Sequence, residues 1–108
     1  MEITAVSEAQ RRLSCYIVYK QLLEEARETL AEEMTIRSEM FAIRRSVMRL
    51  PDSKEKILLY NRYIRGETME MCAELIGISR RSVFRLSHRA MALYIAYNSE
   101  GEKVRALT

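Results

Sequence analysis

Apolar residues recur at helical spacing along most of this chain, and the register of that recurrence predicts its elements. Between residues 7 and 49 there is neither Gly nor Pro, so nothing local compels a break in a helix that would be about 65 Å long at 1.5 Å per residue. Within it Tyr16, Tyr19, Leu23, Ala26, Leu30 and Met34 follow a three-four pattern, and Ile36, Met40, Ile43, Val47 and Leu50 follow a second one. The two stripes are out of register: heptads counted from Leu30 land on Arg37 and Arg44, so the second stripe is turned by about 100°. Two halves facing different ways imply different partners. The expectation is that residues 37 to 50 pack on the domain that follows, while residues 7 to 34 protrude and pair with another copy through Tyr16, Tyr19, Leu23, Leu30 and Met34. The alternative is a helical hairpin, bent near Glu33 to Ser38 and folded back on its own domain.

Leu50-Pro51-Asp52 stops this segment, because Pro disfavours the helical conformation of the residue before it. Asp52 and Glu55 have capping-box spacing for a new helix whose apolar face is Ile57, Tyr60, Tyr63 and Ile64, and Gly66 ends it. Thr68 is placed to cap a short helix with Met69, Cys72, Ala73 and Ile76 on its apolar side, and Gly77 supplies a left-handed end. Ser79 caps the next helix. There Val83, Leu86, Ala90 and Leu93 form one stripe, while Arg81, Phe84, Arg85 and His88 fall on the opposite side. A Gly turn between a small-residue helix and a basic one is the pattern of a helix-turn-helix, in which the second helix protrudes to read the major groove. Asn98-Ser99-Glu100-Gly101 is expected to break that helix and leave a short tail, pinned by Val104 and Leu107.

The chain has 108 residues, one Pro and three Gly, which fits an all-α domain with an extension. The division expected is a helical oligomerisation arm over 1–36, the helix-turn-helix domain over 37–97 and a tail over 98–108. No segment has the apolar length of a membrane span, and no basic stretch followed by an apolar run opens the chain, so a cytoplasmic protein is expected. Cys15 and Cys72 lie far apart among apolar neighbours and read as buried thiols.

Net charge is only +3, but it is unevenly spread. Residues 41 to 65 carry seven basic and two acidic side chains, residues 66 to 77 three acids and no base, and residues 78 to 97 four Arg and no acid. Residues 1 to 40 carry five bases and eight acids. Positive charge concentrated beside a helix-turn-helix is the footprint of a protein that neutralises phosphates. On Lys54, Lys56 and Arg62, phosphate contact and a solvated helix surface are equally consistent readings.

The run Leu50-Pro51-Asp52, Leu58-Leu59-Tyr60-x-Arg62-Tyr63-Ile64-x-Gly66, Thr68-Met69-Glu70, Ala73-Glu74, Gly77-Ile78-Ser79 and Ser82-Val83-Phe84-Arg85-Leu86-x-x-Arg89-Ala90 resembles the C-terminal, region 4-like helix-turn-helix of bacterial sigma factors. It looks most like small phage and prophage regulators that carry this domain alone, the ArpU-like and RinA-like proteins. The resemblance implies a sigma-like all-α bundle with a long N-terminal helical extension, and base-edge contacts from Arg81, Phe84 and Arg85, with His88 on the same side. It implies backbone contacts from Ser79, Arg80 and Arg89, to which Lys54, Lys56, Arg62 and Thr68 are added as phosphate-side candidates. Met69 and Met71 stand where relatives have an aromatic residue and a capping Glu, and Phe84 stands where a polar residue is commoner. A Phe there suits thymine methyl groups or another protein surface.

His88 has no acid nearby in sequence and no placed nucleophile, so no enzyme is expected. There is no phosphate-binding Gly loop, no zinc-spaced cysteine pair and no calcium loop, and Glu24, Glu25, Glu28, Glu32 and Glu33 read as a solubilising face. No cofactor, metal or small-molecule ligand is expected. The reading is a homodimeric, sequence-specific regulator of transcription that binds double-stranded DNA. The alternatives are a DNA-packaging subunit like small terminases, or a sigma-mimicking module that binds RNA polymerase.

Overall fold

The computed structural model describes residues 2–25 and 29–107, and the side chains of 5–25 and 29–99. Five α-helices follow one another: α1 (Glu2–Glu24), α2 (Leu30–Met48), α3 (Lys54–Leu59), α4 (Met69–Ile76) and α5 (Arg80–Leu107), with a π-helical turn, Tyr60–Ile64, continuing α3. No strand occurs among the described residues.

The long N-terminal segment is a hairpin, not a protruding arm. It breaks earlier than the expected Glu33–Ser38, because Thr29 starts a new helix with a full capping box. Thr29 Oγ1 accepts from the Glu32 backbone N–H at 3.2 Å, and Glu32 Oε2 accepts from the Thr29 N–H at 3.0 Å. Ala26 and Glu28 lie outside the described residues. α1 folds back against α2, the π turn and α5, and buries Ala9 and Leu13 in one core with Ile43, Val47, Leu50, Leu58, Leu86 and Ala90. Tyr16 and Tyr19 pack against the same core and Leu23 is half-buried, whereas Leu30 and Met34 stand on the outer side of α2, 73% and 64% exposed. The slip between the two stripes has a simple cause. Leu30 and Met34 belong to α2 but not to its buried side, which Ile43 and Val47 define.

Two further expectations are corrected around α3. Its cap is Ser53 instead of Asp52: Ser53 Oγ accepts from the Lys56 N–H at 3.2 Å and donates to the Pro51 carbonyl at 2.8 Å, while Asp52 reaches out to Lys56 Nζ at 3.2 Å. Of the expected face Ile64 is buried, Tyr60 and Tyr63 are partly buried and Ile57 is exposed, and the fully buried positions beside Ile64 are Leu58 and Leu59. The π turn changes the periodicity: the Arg65 N–H donates five residues back to Tyr60 O at 3.1 Å, and buried Asn61 takes up the Ile57 carbonyl through Nδ2 at 2.8 Å. Ile57 is left exposed while Tyr60 and Tyr63 stay half-buried.

α5 does not stop at Asn98 but runs on to Leu107. Asn98 anchors the helix instead. Its Nδ2 donates to the carbonyls of Tyr94 and Ser46 at 2.9 and 3.1 Å, and its Oδ1 accepts from Arg49 at 2.9 Å. One turn earlier the Tyr94 hydroxyl donates to Ser46 Oγ at 2.7 Å, so α5 is tied to α2 by polar bonds across a mostly apolar seam. Val104 and Leu107 fall on side chains outside those described, as does Thr108.

Candidate nucleic-acid interface

The unit α4, turn and α5 is held by local chemistry that the sequence spelled out. Thr68 Oγ1 accepts from the Met71 N–H at 3.1 Å, satisfying a donor that the first turn of α4 would leave free. At the other end Gly77 takes φ 81° and ψ 37°, and its N–H and that of Ile78 both reach the Ala73 carbonyl, at 2.9 and 3.0 Å. That reversal launches α5 across α4. Ser79 Oγ accepts from the Ser82 N–H at 3.1 Å and donates to Ser82 Oγ at 3.0 Å. Cys72 and Ala73 of α4 are buried, as are Val83, Leu86 and Ala90 of α5.

With that stripe turned inward, Arg81, Phe84, Arg85 and His88 all lie exposed on the other side of α5. They are spaced at i, i+3, i+4 and i+7, so they form one continuous face. Neither Arg81 nor Arg85 makes an ion pair among the described residues. Phe84 is 48% exposed, a large apolar ring kept in solvent between two guanidinium-bearing positions.

The residues expected on the phosphate side are less uniform. Arg80 meets Glu70 at 3.4 Å and Arg89 meets Glu55 at 3.7 Å, surface pairs that are readily exchanged for another anion. Arg62 donates to the Glu67 carbonyl at 3.0 Å and so braces the turn before α4. Lys56 is largely covered and paired with Asp52, whereas Lys54 is exposed. Thr68 and Ser79 commit their oxygens to the caps.

A second basic cluster, not evident as such from the sequence, lies away from the helix-turn-helix. A cleft of about 540 Å³ opens where α1, α2 and α5 meet, and Arg12, Arg45 and Arg49 line it, with Glu8 its one carboxylate among the described residues. Arg45 lies over the Phe41 ring at 5.7 Å. The signal was present in the sequence as the basic excess of residues 41 to 65. Arg12, however, belongs to a helix of balanced charge, three acidic and three basic side chains, and reaches the cleft only because α1 folds back.

Burial pushes the Cys72 thiol above its ordinary 9.0, an effect that Arg62 opposes and Glu67 reinforces, so it stays a protonated core side chain. Tyr63 is likewise raised by burial, with Arg62 opposing. Among the described residues no group of three His, Cys, Asp or Glu side chains is placed to hold a metal, and no helix is long and apolar enough to cross a membrane. No protein-family model matches the chain, and comparison with curated proteins and with solved structures finds no match either.

Proposed function

We propose that this protein is a homodimeric, sequence-specific double-stranded DNA-binding regulator of transcription, of the phage or prophage type, acting in the cytoplasm without enzymatic activity or a cofactor. In this reading α4, its turn and α5 are a sigma-like helix-turn-helix, and α5 enters the major groove. The observation that carries it is the exposed face Arg81, Phe84, Arg85 and His88, backed by a buried stripe that fixes its direction. A guanidinium presents a fork of donors that matches the O6 and N7 acceptors of guanine, and each good bidentate pair is worth about 1 to 3 kcal/mol of discrimination. Phe84 between them supplies an apolar surface for a thymine methyl group. Arg80, Arg89 and Lys54 flank this face and supply phosphate attraction, which weakens as salt rises.

The test is selection of bound sites from random DNA, followed by the same selection with Arg85→Ala. A defined site for the unaltered protein and a relaxed base at one position for the variant are expected. Unchanged preference in the variant overturns the readout assignment. A second reading is favoured by one observation: Phe84, Met71 and Leu75 are 48%, 48% and 58% exposed, and adaptable apolar side chains suit a protein partner such as RNA polymerase. Capture of polymerase with no retardation of any DNA would favour it.

A further inference from the structure

The cleft between α1, α2 and α5 lies outside the reading face, and two of the four α5 residues that line it continue the line of that face. Ile95 and Ser99 of α5 line the cleft. At about 100° per residue they point within about 40° of the direction of Arg81, roughly 10 and 16 Å further along the helix than His88, while Tyr94 and Asn98, which also line the cleft, point about 140° and 100° away. Major-groove width is of the same order, about 12 Å, so a duplex receiving Arg81 to His88 brings a backbone strand toward this end of α5.

The cleft is suited to phosphate by its composition. Arg12 enters from α1, and Arg45 and Arg49 enter from α2, and among the described residues Glu8 is the one carboxylate that faces them. Among the described residues none of Arg12, Arg45 and Arg49 makes an ion pair, and Arg49 is aimed by its bond to the neutral Asn98 Oδ1 at 2.9 Å. Behind them the polar groups are already satisfied: Tyr94 donates to Ser46, Ser46 to the Ile43 carbonyl, and Asn98 to two carbonyls. The floor is therefore a fixed wall, and the arginines are the responsive part. All of them are exposed. A free small anion in so open a site buries little of its surface and gains little, whereas a polyanion held elsewhere gains from each added contact.

We propose that Arg12, Arg45 and Arg49 form a second phosphate-binding surface that holds the DNA backbone beyond the reading helix, a role that rests on the DNA-binding reading of α5. α1 then does more than complete the core, because its return path carries Arg12 to the DNA side.

The experiment measures DNA affinity of the full chain against salt concentration. The double variant Arg12→Ala with Arg45→Ala is expected to bind selected and random DNA more weakly by the same factor. Its slope of log affinity against log salt should be smaller by about 1 for each phosphate that the variant no longer neutralises. Site preference should be retained, in contrast to Arg85→Ala. Glu8→Gln, which removes the opposing charge, is expected to tighten binding of both DNAs. Both variants alter exposed side chains, and an unchanged melting temperature establishes that they fold. An unchanged salt slope in the double variant, or no effect of Glu8→Gln, overturns the cleft assignment while leaving the reading helix standing. Inorganic phosphate that binds the unaltered protein but not the double variant, with DNA affinity unaffected, would assign the cleft to a free anion and overturn the proposal. Failure of the unaltered protein to bind any DNA overturns the reading of α5, and the cleft assignment with it.

Discussion

Cys72 and Tyr63 carry the pH dependence that the structure makes visible at single residues. Both hold their protons more tightly when folded, because burial disfavours the thiolate and the phenolate. A folded value raised above the unfolded one means that the stabilisation is complete below the unfolded value and is lost as pH rises toward the folded one. Denaturant unfolding should therefore show constant contributions from these groups below pH 9.0 and a progressive loss above it, first from Cys72 and then, from 10.0 upward, from Tyr63. Cys72→Ala removes the first part of that alkaline loss, and a variant retaining it would show that another group titrates. Gly77 is a second single-residue case. Its φ of 81° lies in the left-handed region, although a Cβ there would meet nothing within 4 Å, so the cost of Gly77→Ala is purely conformational. A loss of roughly 1 to 2 kcal/mol by denaturant titration is expected, with Asn at 77 costing less. Thr68, Gly77 and Ser79 were legible in the sequence because a cap depends on neighbours within four residues. The cap falls to Ser53 instead of Asp52 because the two compete for the same donors, and Asn98 continues the helix instead of breaking it because its partners are set by α2.

Among the elements, α1 departs furthest from expectation. A helix with half-polar flanks can be read as a partner-seeking arm or as a docked hairpin, and periodicity does not distinguish which apolar surface it meets. The stripe read from the sequence, Tyr16 to Met34, ran across the Thr29 cap and joined residues of two helices. The fully buried positions described in α1 are Ala9 and Leu13, which continue the same stripe toward the N-terminus, Ala9 one heptad before Tyr16. Leu13→Ala is expected to destabilise the whole fold by about 2 to 5 kcal/mol, the range for deleting a fully buried leucine side chain. Unfolding at unchanged denaturant concentration would show that α1 is dispensable to the core. Ile43 and Val47 of α2 and Leu50 just after it, by contrast, are legible and buried, as are the Val83, Leu86 and Ala90 positions of α5, because each helix presents one side to a core made by its sequence neighbours. The same is true of the exposure of Arg81, Phe84, Arg85 and His88, which lie on the reverse of that stripe. The arginine cleft was not legible, since it is assembled from three helices whose meeting depends on the return of α1.

For the whole molecule, that return changes what a dimer would be made of. A protruding helix needs a partner to cover it, but here Tyr16 and Tyr19 are packed against their own core and the chain closes without a second copy. Pairing of two copies stays part of the proposed function, and it now falls to Leu30 and Met34, adjacent on the outer side of α2 and the most exposed large apolar side chains described. The two possibilities make opposite demands on substitutions. Leu30→Glu with Met34→Glu replaces side chains that the core does not use, so it should leave the melting temperature unchanged while abolishing dimerisation in sedimentation equilibrium at micromolar concentration. Tyr16→Ala should do the reverse, lowering stability with little effect on association. A dimer that survives the double Glu variant would place the interface elsewhere. A protein that is monomeric at every concentration would remove the pairing altogether and carry a consequence for recognition: one α5 reads one groove, so the selected DNA site should be a single asymmetric element of a few base pairs instead of an inverted repeat with half-sites a helical turn apart.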